Sequence, residues 1–444
     1  MSYLDNILFV ILLVLGFGYF FSNIKKIKRN INLGTAINRN DNPKARWNNM
    51  VMIALGQSKM VKRPIAGILH IIVYAGFIII NIELLEIVID GLFGTHRIFS
   101  SLGTFYDVLI GSFEILALLV LVAVFTFWIR RNIIRLKRFA NKDLTGFPKN
   151  DANYILYFEV VLMSLFLLMN ASDLHLQNIP GGFSHFIKAG SFPISQFIEP
   201  LFNGVSSELV MLLNELFWWL HIIGILIFMN YLYFSKHLHI LLAFPNTYFA
   251  DLNPKGQLSN LESVTNEVKM MMDPNADPYA AAPINDNAVP SKFGASDVQD
   301  LNWVQLMNAY TCTECGRCTS SCPANSTGKK LSPRKIMMAT RDRLEEVGKN
   351  IDANKGVFVP DNKSLLNDYI TPEELWACTS CNACVEECPV NISPLSIIID
   401  MRRYLVMEQS AAPTPINAMM TNIENNGAPW QYNQQDRLNW KNEN

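Results

Sequence analysis

Charge is scarce in this 444-residue chain, where Asp, Glu, Lys and Arg together make up 17% of residues. Soluble domains usually carry about 25%. Neither sign dominates: 37 Lys and Arg against 38 Asp and Glu leave a net charge of -1, which excludes the basic footprint of a nucleic-acid binder. Cysteine is missing from the first 311 positions, and all eight cysteines fall between 312 and 388. No glycine fingerprint for dinucleotide binding is present, so flavin or nicotinamide chemistry on this chain is not expected. Hydrophobic residues fill these absences. They make up 50% of the chain, mean hydropathy is +0.17, and the long apolar runs all precede residue 245. The length suits two or three domains. The composition predicts a membrane region joined to a polar, cysteine-bearing one.

Five runs are long enough to span a bilayer: Leu4–Phe21, Ile65 to about Ile89, Val108–Ile129, Tyr154 to about Ser172, and Leu209–Phe234. Each has roughly 18–26 residues, sufficient at ~1.5 Å per residue for a ~30 Å hydrocarbon core. The first lacks a basic start and a small-residue cleavage site, so it reads as a retained helix. Lys and Arg number ten between the first and second runs and seven between the third and fourth, whereas the other two loops hold only Arg97 and Lys188. By the positive-inside rule the N-terminus is outside, and the chain leaves the fifth helix into the cytoplasm of a bacterial inner membrane.

Residues 1–245 are therefore expected to form the membrane domain. Residues 246–299, rich in Asn, Asp, Pro and Ala, read as an extended cytoplasmic linker. Residues 300–408 hold Cys312, Cys315, Cys318, Cys322-Pro323 and Cys378, Cys381, Cys384, Cys388-Pro389. Both runs are C-x2-C-x2-C-x3-C-P, the spacing that holds cubane [4Fe–4S] clusters, with the fourth cysteine of each run serving the other cluster. One cluster is thus assigned to Cys312, Cys315, Cys318 and Cys388, and the other to Cys378, Cys381, Cys384 and Cys322. Disulfides do not suit a reducing compartment, and structural zinc sites use paired C-x2-C units. Residues between the runs suggest inserted helices, one starting at Ser332-Pro333. The fold class is mainly α: a five-helix membrane bundle followed by a helical two-cluster ferredoxin-like domain.

Three stretches carry a resemblance. Phe293-Gly-Ala-Ser-Asp-Val, the Cys312 run and Trp376-Ala-Cys-Thr-Ser-Cys-Asn-Ala-Cys-Val-Glu-Glu-Cys-Pro-Val are similar to iron–sulfur subunits of the heterodisulfide reductase family. The tail, Asn426-Gly-Ala-Pro-Trp430 with Arg437-Leu-Asn-Trp440, resembles the Gly-Asn-Pro-Trp…Arg-x-x-Trp segment of that family, from which Ala428 and Gln431 depart. Residues 409–444 are thus expected to dock a partner. Fused relatives continue into Cys-Cys-Gly repeats that hold a catalytic cluster, so here that part is expected on a separate Cys-Cys-Gly subunit. The membrane half, at Gly67-Ile-Leu-His70, His221-Ile-Ile-Gly and Phe234-Ser-Lys-His-Leu-His239, resembles the cytochrome b subunit of respiratory nitrate reductase.

This second resemblance implies haem b. It pairs the first histidine of the second helix with the last of the fifth, His70 with His239, although counting helical rise leaves the two roughly 12–15 Å apart in depth. His221 matches the other fifth-helix ligand, but its family partner, ten residues after His70, is Ile80. A second haem would need another ligand, such as His175; otherwise His221 simply bonds within the bundle. His237 would line a quinone pocket or face solvent, and His96 and His185 lie in outer loops. Glu83, Glu86, Glu114, Glu159, Asp173 and Glu215 lie in or at the edge of the helices, where they either move protons or pair. The reading is a quinone-linked electron-transfer subunit, with the catalytic cluster on another chain and an electron-transfer flavoprotein as one possible donor. The alternatives are a structural iron–sulfur anchor without haem and a redox-driven ion-translocating subunit.

Overall fold

The computed structural model describes residues 3–141, 143–179, 186–275 and 292–442. In chain order its helices are α1 (Tyr3–Ile31), α2 (Pro43–Met50), α3 (Pro64–Phe93), α4 (Thr104–Asn132), α5 (Phe147–Gln177), α6 (Ser207–Tyr231), α7 (His239–Tyr248), α8 (Glu262–Met272), α9 (Trp303–Thr311), α10 (Arg317–Ser320), α11 (Pro323–Ser326), α12 (Pro333–Ala353), α13 (Pro372–Trp376), α14 (Ala383–Glu387), α15 (Pro394–Met407) and α16 (Thr414–Asn426). No strand occurs among the described residues, only two isolated bridges. Prolines open α2, α3, α12, α13 and α15, where a fixed φ and a missing N–H cost a helix nothing. Side-chain oxygens of Ser332, Thr371 and Ser393 cap the last three of these.

Five helices, α1, α3, α4, α5 and α6 (the last with its short extension to Phe234), are long and apolar enough to cross a membrane. Consecutive members from α3 to α6 pack side by side, and α1 closes the ring between α6 and α3. Close approach is part of the design. A Cβ on Gly91 of α3 would lie 2.6 Å from the Phe9 ring of α1, so only glycine lets these helices meet there.

Three expectations change. Residues 25–31 continue α1 instead of forming a loop, so its end reaches into the cysteine domain: Asn30 donates to the Tyr310 hydroxyl at 2.9 Å, and Arg29 to the Gly348 carbonyl at 3.0 Å. The loop before α3 is helical over Pro43–Met50 and continues as a π-turn, Val51–Leu55. The linker contains α8, an exposed helix; 276–291 lie outside the described residues.

The cysteine domain shares one hydrophobic core with the bundle end, in which Ile27 and Leu238 join Leu306, Ile336, Leu344 and Ile397. Gly294 fixes its start. The residue has φ +77°, and a Cβ would sit 2.2 Å from the Asp400 carbonyl oxygen of α15. The C-terminal segment, α16 and the 3-10 turn Gln434–Lys441, buries no residue and leaves Trp430 and Trp440 exposed.

Candidate functional site

Both cysteine runs are wound by left-handed residues. Glu314 (φ 54°) and Gly316 (φ 72°) turn the first, Ser380 (φ 55°) and Asn382 (φ 58°) the second. The short helices α10 and α14 then carry the third cysteine of each run, and proline follows the fourth. All the cysteines but Cys381 are at least partly buried. One cavity is lined by Cys312, Cys315, Cys318, Cys384 and Cys388. Cys318 feels the charges of Cys315, Cys312 and Cys388, while Cys384 feels those of Cys378, Cys322 and Cys381. The last cysteine of each run is thus an electrostatic neighbour of the other run, and Cys384 also neighbours Cys318. Among the described residues no three such side chains converge as they would on a single ion; a cubane instead holds its thiolates at four separate corners.

Burial dominates the chemistry of these thiols. It pushes Cys312 up to about 12, Cys384 to about 12 and Cys388 to about 11. Burial thus favours the protonated thiols, and a cluster that takes them as thiolates would displace those protons. Backbone N–H groups of Ser380 and Ile392 donate to the sulfurs of Cys378 and Cys388 at 3.4 and 3.3 Å, bonds of the kind that tune cluster potential. Cys381 is the exposed cysteine of the eight.

Charged residues inside the cysteine runs tie them to the bundle. The Glu314 carboxylate, 4% exposed, accepts from Lys236 at 2.5 Å and pairs with Arg341 at 2.8 Å. Burial pushes Lys236 down even though Glu314 and Asp151 pull it up, and those two cations hold Glu314 below the usual carboxylate range despite its burial. Arg317 donates to the Lys59 carbonyl at 3.0 Å, and Arg334 to the Arg138 carbonyl at 2.7 Å. Lys62 and Arg63 pair with Glu386 and Glu387 at 2.6 and 2.9 Å. Sequence reasoning did not single out these residues, although charges set between closely spaced cysteines were a usable signal.

The structure brings His70 and His239 together, with ring centroids 6.4 Å apart and planes at 43°. Two imidazoles on opposite sides of one metal, with bonds of ~2.0–2.1 Å, place their centroids about 6 Å apart, so the pair fits an axial ligand set. His239 Nδ1 lies 3.1 Å from the Lys236 carbonyl, a backbone contact that orients a ligating ring. His237 is 5.3 Å from His239. Arg317 of the first cysteine run is an electrostatic neighbour of His70.

His221 is elsewhere. It is 4% exposed, rests on Phe166 and lines a separate cavity. His175 does not reach it: its Nδ1 meets Glu199 at 2.6 Å, nine residues or about 13 Å along α5 from Phe166. His96 lies 3.5 Å from Asp173, and His185 is outside the described residues. Arg97 is buried, not looped out, and gathers the acids: it pairs with Asp173 and donates to Asn170 and to Tyr106, which donates to Glu86. Glu114 accepts from the Ile194 and Ser195 backbone and from Asn170. Glu83 and Glu159 line the His221 cavity, and Glu215 is exposed on α6.

Residues 311–392 match a family model described as a 4Fe-4S dicluster domain. The chain is 31% identical over 422 residues to the "Probable iron-sulfur-binding oxidoreductase FadF" of Bacillus subtilis, covering 87% of this chain and 54% of that protein. It is 25% identical over 463 residues to the EtfAB:quinone oxidoreductase of Syntrophomonas wolfei, covering 98% and 59%. One of the polypeptides of the dihydromethanophenazine:CoB–CoM heterodisulfide reductase of Methanosarcina mazei matches over 154 residues at 28% identity, covering 34% and 36%. The chain thus spans little more than half the length of the first two relatives. No solved structure matches it. With its five apolar helices and dicluster domain, the chain is a membrane-linked iron–sulfur protein similar to those of the heterodisulfide reductase type.

Proposed function

We propose that the chain is the quinone-linked subunit of a heterodisulfide-reductase-like oxidoreductase, passing electrons between a soluble donor and the membrane. Cys312, Cys315, Cys318 and Cys388 would hold one cubane, Cys378, Cys381, Cys384 and Cys322 the other, and His70 and His239 would hold a b-type haem. When bound, these groups supply the one-electron steps that a two-electron quinone and a distant donor cannot exchange directly. The observation that carries the reading is the His70–His239 pair, spaced for one metal.

The remaining residues give this arrangement an order. Exposed Cys381 would bring one edge of its cluster to the surface, and Arg402, stacked 4.9 Å over Trp376 and donating to the Leu375 carbonyl at 2.6 Å, braces that loop. The donor is proposed to dock there and on the exposed tail. A separate Cys-Cys-Gly subunit fits the family, and the name of the Syntrophomonas relative suggests an electron-transfer flavoprotein. Docking supports an orientation: Lys59, Lys62, Arg63 and Arg138, which receive the cysteine domain, belong to the two basic loops. The clusters would then lie in the cytoplasm of a bacterial inner membrane. The test is the reduced-minus-oxidised optical spectrum of the purified chain. A low-spin haem b band that His70→Ala and His239→Ala each remove supports the reading; a protein with clusters and no haem sinks it.

A further inference from the structure

Midway along the bundle, α3, α4, α5 and α6 enclose a cavity of ≈ 90 Å³ that the electron path above does not use. Phe77, Phe166 and Phe228 give it aromatic walls, and Glu83, Glu159 and His221 bring polar atoms to it. Two of these atoms, Nδ1 of His221 and Oε2 of Glu83, are buried without a hydrogen-bond partner, and both residues are 4% exposed. With no partner in the fold, Nδ1 of His221 can present a lone pair to a ligand's hydroxyl. Each such orphan costs about 1–3 kcal/mol unless a ligand meets it.

The mouth of the cavity indicates what that ligand is. Phe77 and Asn81, on its rim, are exposed on the outer face of α3, a face that a spanning helix turns to hydrocarbon. A ligand entering there comes from the lipid. Apolar walls with a few convergent polar groups are the usual make-up of a small-molecule site. Haem suits it poorly, because the wall offers His221 no second histidine as a partner. The enclosed part is smaller than the ~150 Å³ apolar cavity that takes benzene, so a ring must also use the mouth and leave its tail among the lipids.

The geometry points to this cavity as the seat of the aromatic head group of a membrane quinol. One hydroxyl donates to Nδ1 of His221, the carboxyl of Glu83 serves the second oxygen, and phenylalanine rings lie against the faces. The assignment rests on the quinone-linked reading and adds its site.

A photoreactive azido-naphthoquinone applied to the full-length protein in membranes, with and without excess 2-methyl-1,4-naphthoquinol, tests it. Displaceable label is expected on the peptides holding Phe77–Glu83 or His221–Phe228. Ile80→Phe, which fills the cavity with an apolar ring, should weaken that labelling by excluding the ligand, and His221→Leu should weaken it about tenfold or more, the loss of one such hydrogen bond, with cluster absorbance unchanged in both. Label confined to another place, such as the His237 end, overturns the site and leaves quinone linkage standing. No displaceable label on the chain overturns both. Loss of a haem band in His221→Leu with labelling intact returns His221 to haem and overturns the site.

Discussion

Replacing Glu314 by Gln tests how the cysteine domain is held to the membrane bundle. The carboxylate is 4% exposed and faces Lys236 at 2.5 Å and Arg341 at 2.8 Å. Removing one member of a buried ion pair costs about 3–5 kcal/mol, because the other charge stays buried and unpaired. Here the lower end applies, about 3 kcal/mol. Lys236 keeps the Pro148 carbonyl at 2.6 Å and Asp151 at 3.8 Å, and Arg341 keeps Asp342 at 3.5 Å. At about 3 °C per kcal/mol, the thermal midpoint for loss of cluster absorbance should fall by roughly 10 °C. A Lys236→Met change should cost a similar amount, and the double variant less than the sum, since the two share one interaction. A Glu314→Gln protein within about 2 °C of the parent, or strict additivity in the double variant, refutes the reasoning.

Other consequences can be measured separately. Anaerobically purified protein should contain about eight irons beyond haem, four per cubane, and zinc in their place would contradict the cluster assignment. Cys381→Ser should remove or alter one cluster's paramagnetic signal and leave the other's intact; loss of neither would break that ligand set. Lys255 and Lys62 hold Glu386 down to about 2, against an ordinary 4.5. Its contribution to docking α14 on the basic loop should be complete above about pH 4.5 and lost as pH falls toward about 2. Glu386→Gln should flatten that acid limb, and an unchanged limb would exclude the contact as its source. A reporter fused behind residue 444 should be active only in its cytoplasmic form; activity of a periplasmic form would reverse the orientation.

Periodic and local signals in the sequence correspond well to structure. Five apolar runs become five spanning-length helices because hydrocarbon thickness sets a length that composition alone reveals. The Ser332-Pro333 start of α12 is a capped helix start. Non-local relations were the hidden part. Counting rise along α3 and α6 separates His70 from His239, because the count treats the chain past Phe234 as leaving the bundle. At Ser235 (φ -110°, ψ 151°) the chain turns, the Ser235 hydroxyl accepts from the His237 N–H, and α7 starts at His239. That turn brings the imidazole back beside His70. Arg97 misleads in the same way: one charge in a short loop reads as solvated, yet Asp173, Asn170 and Tyr106 from two helices converge on it. Helix α1 runs past its apolar stretch because Asn30, Arg29 and Ile27 find partners on the cysteine domain, partners that lie some 280–320 positions away in sequence.

Whether this chain carries electrons between its clusters and a quinone is most directly read by rapid mixing. Protein with chemically reduced clusters is mixed anaerobically with a soluble quinone analogue, and recovery of the visible cluster absorbance is followed. The parent protein should reoxidise quickly, and His239→Ala, with its clusters intact, should reoxidise at the rate of protein given no quinone. Equal rates in parent and His239→Ala would contradict the account, since quinone would then reach the clusters without the His70–His239 pair.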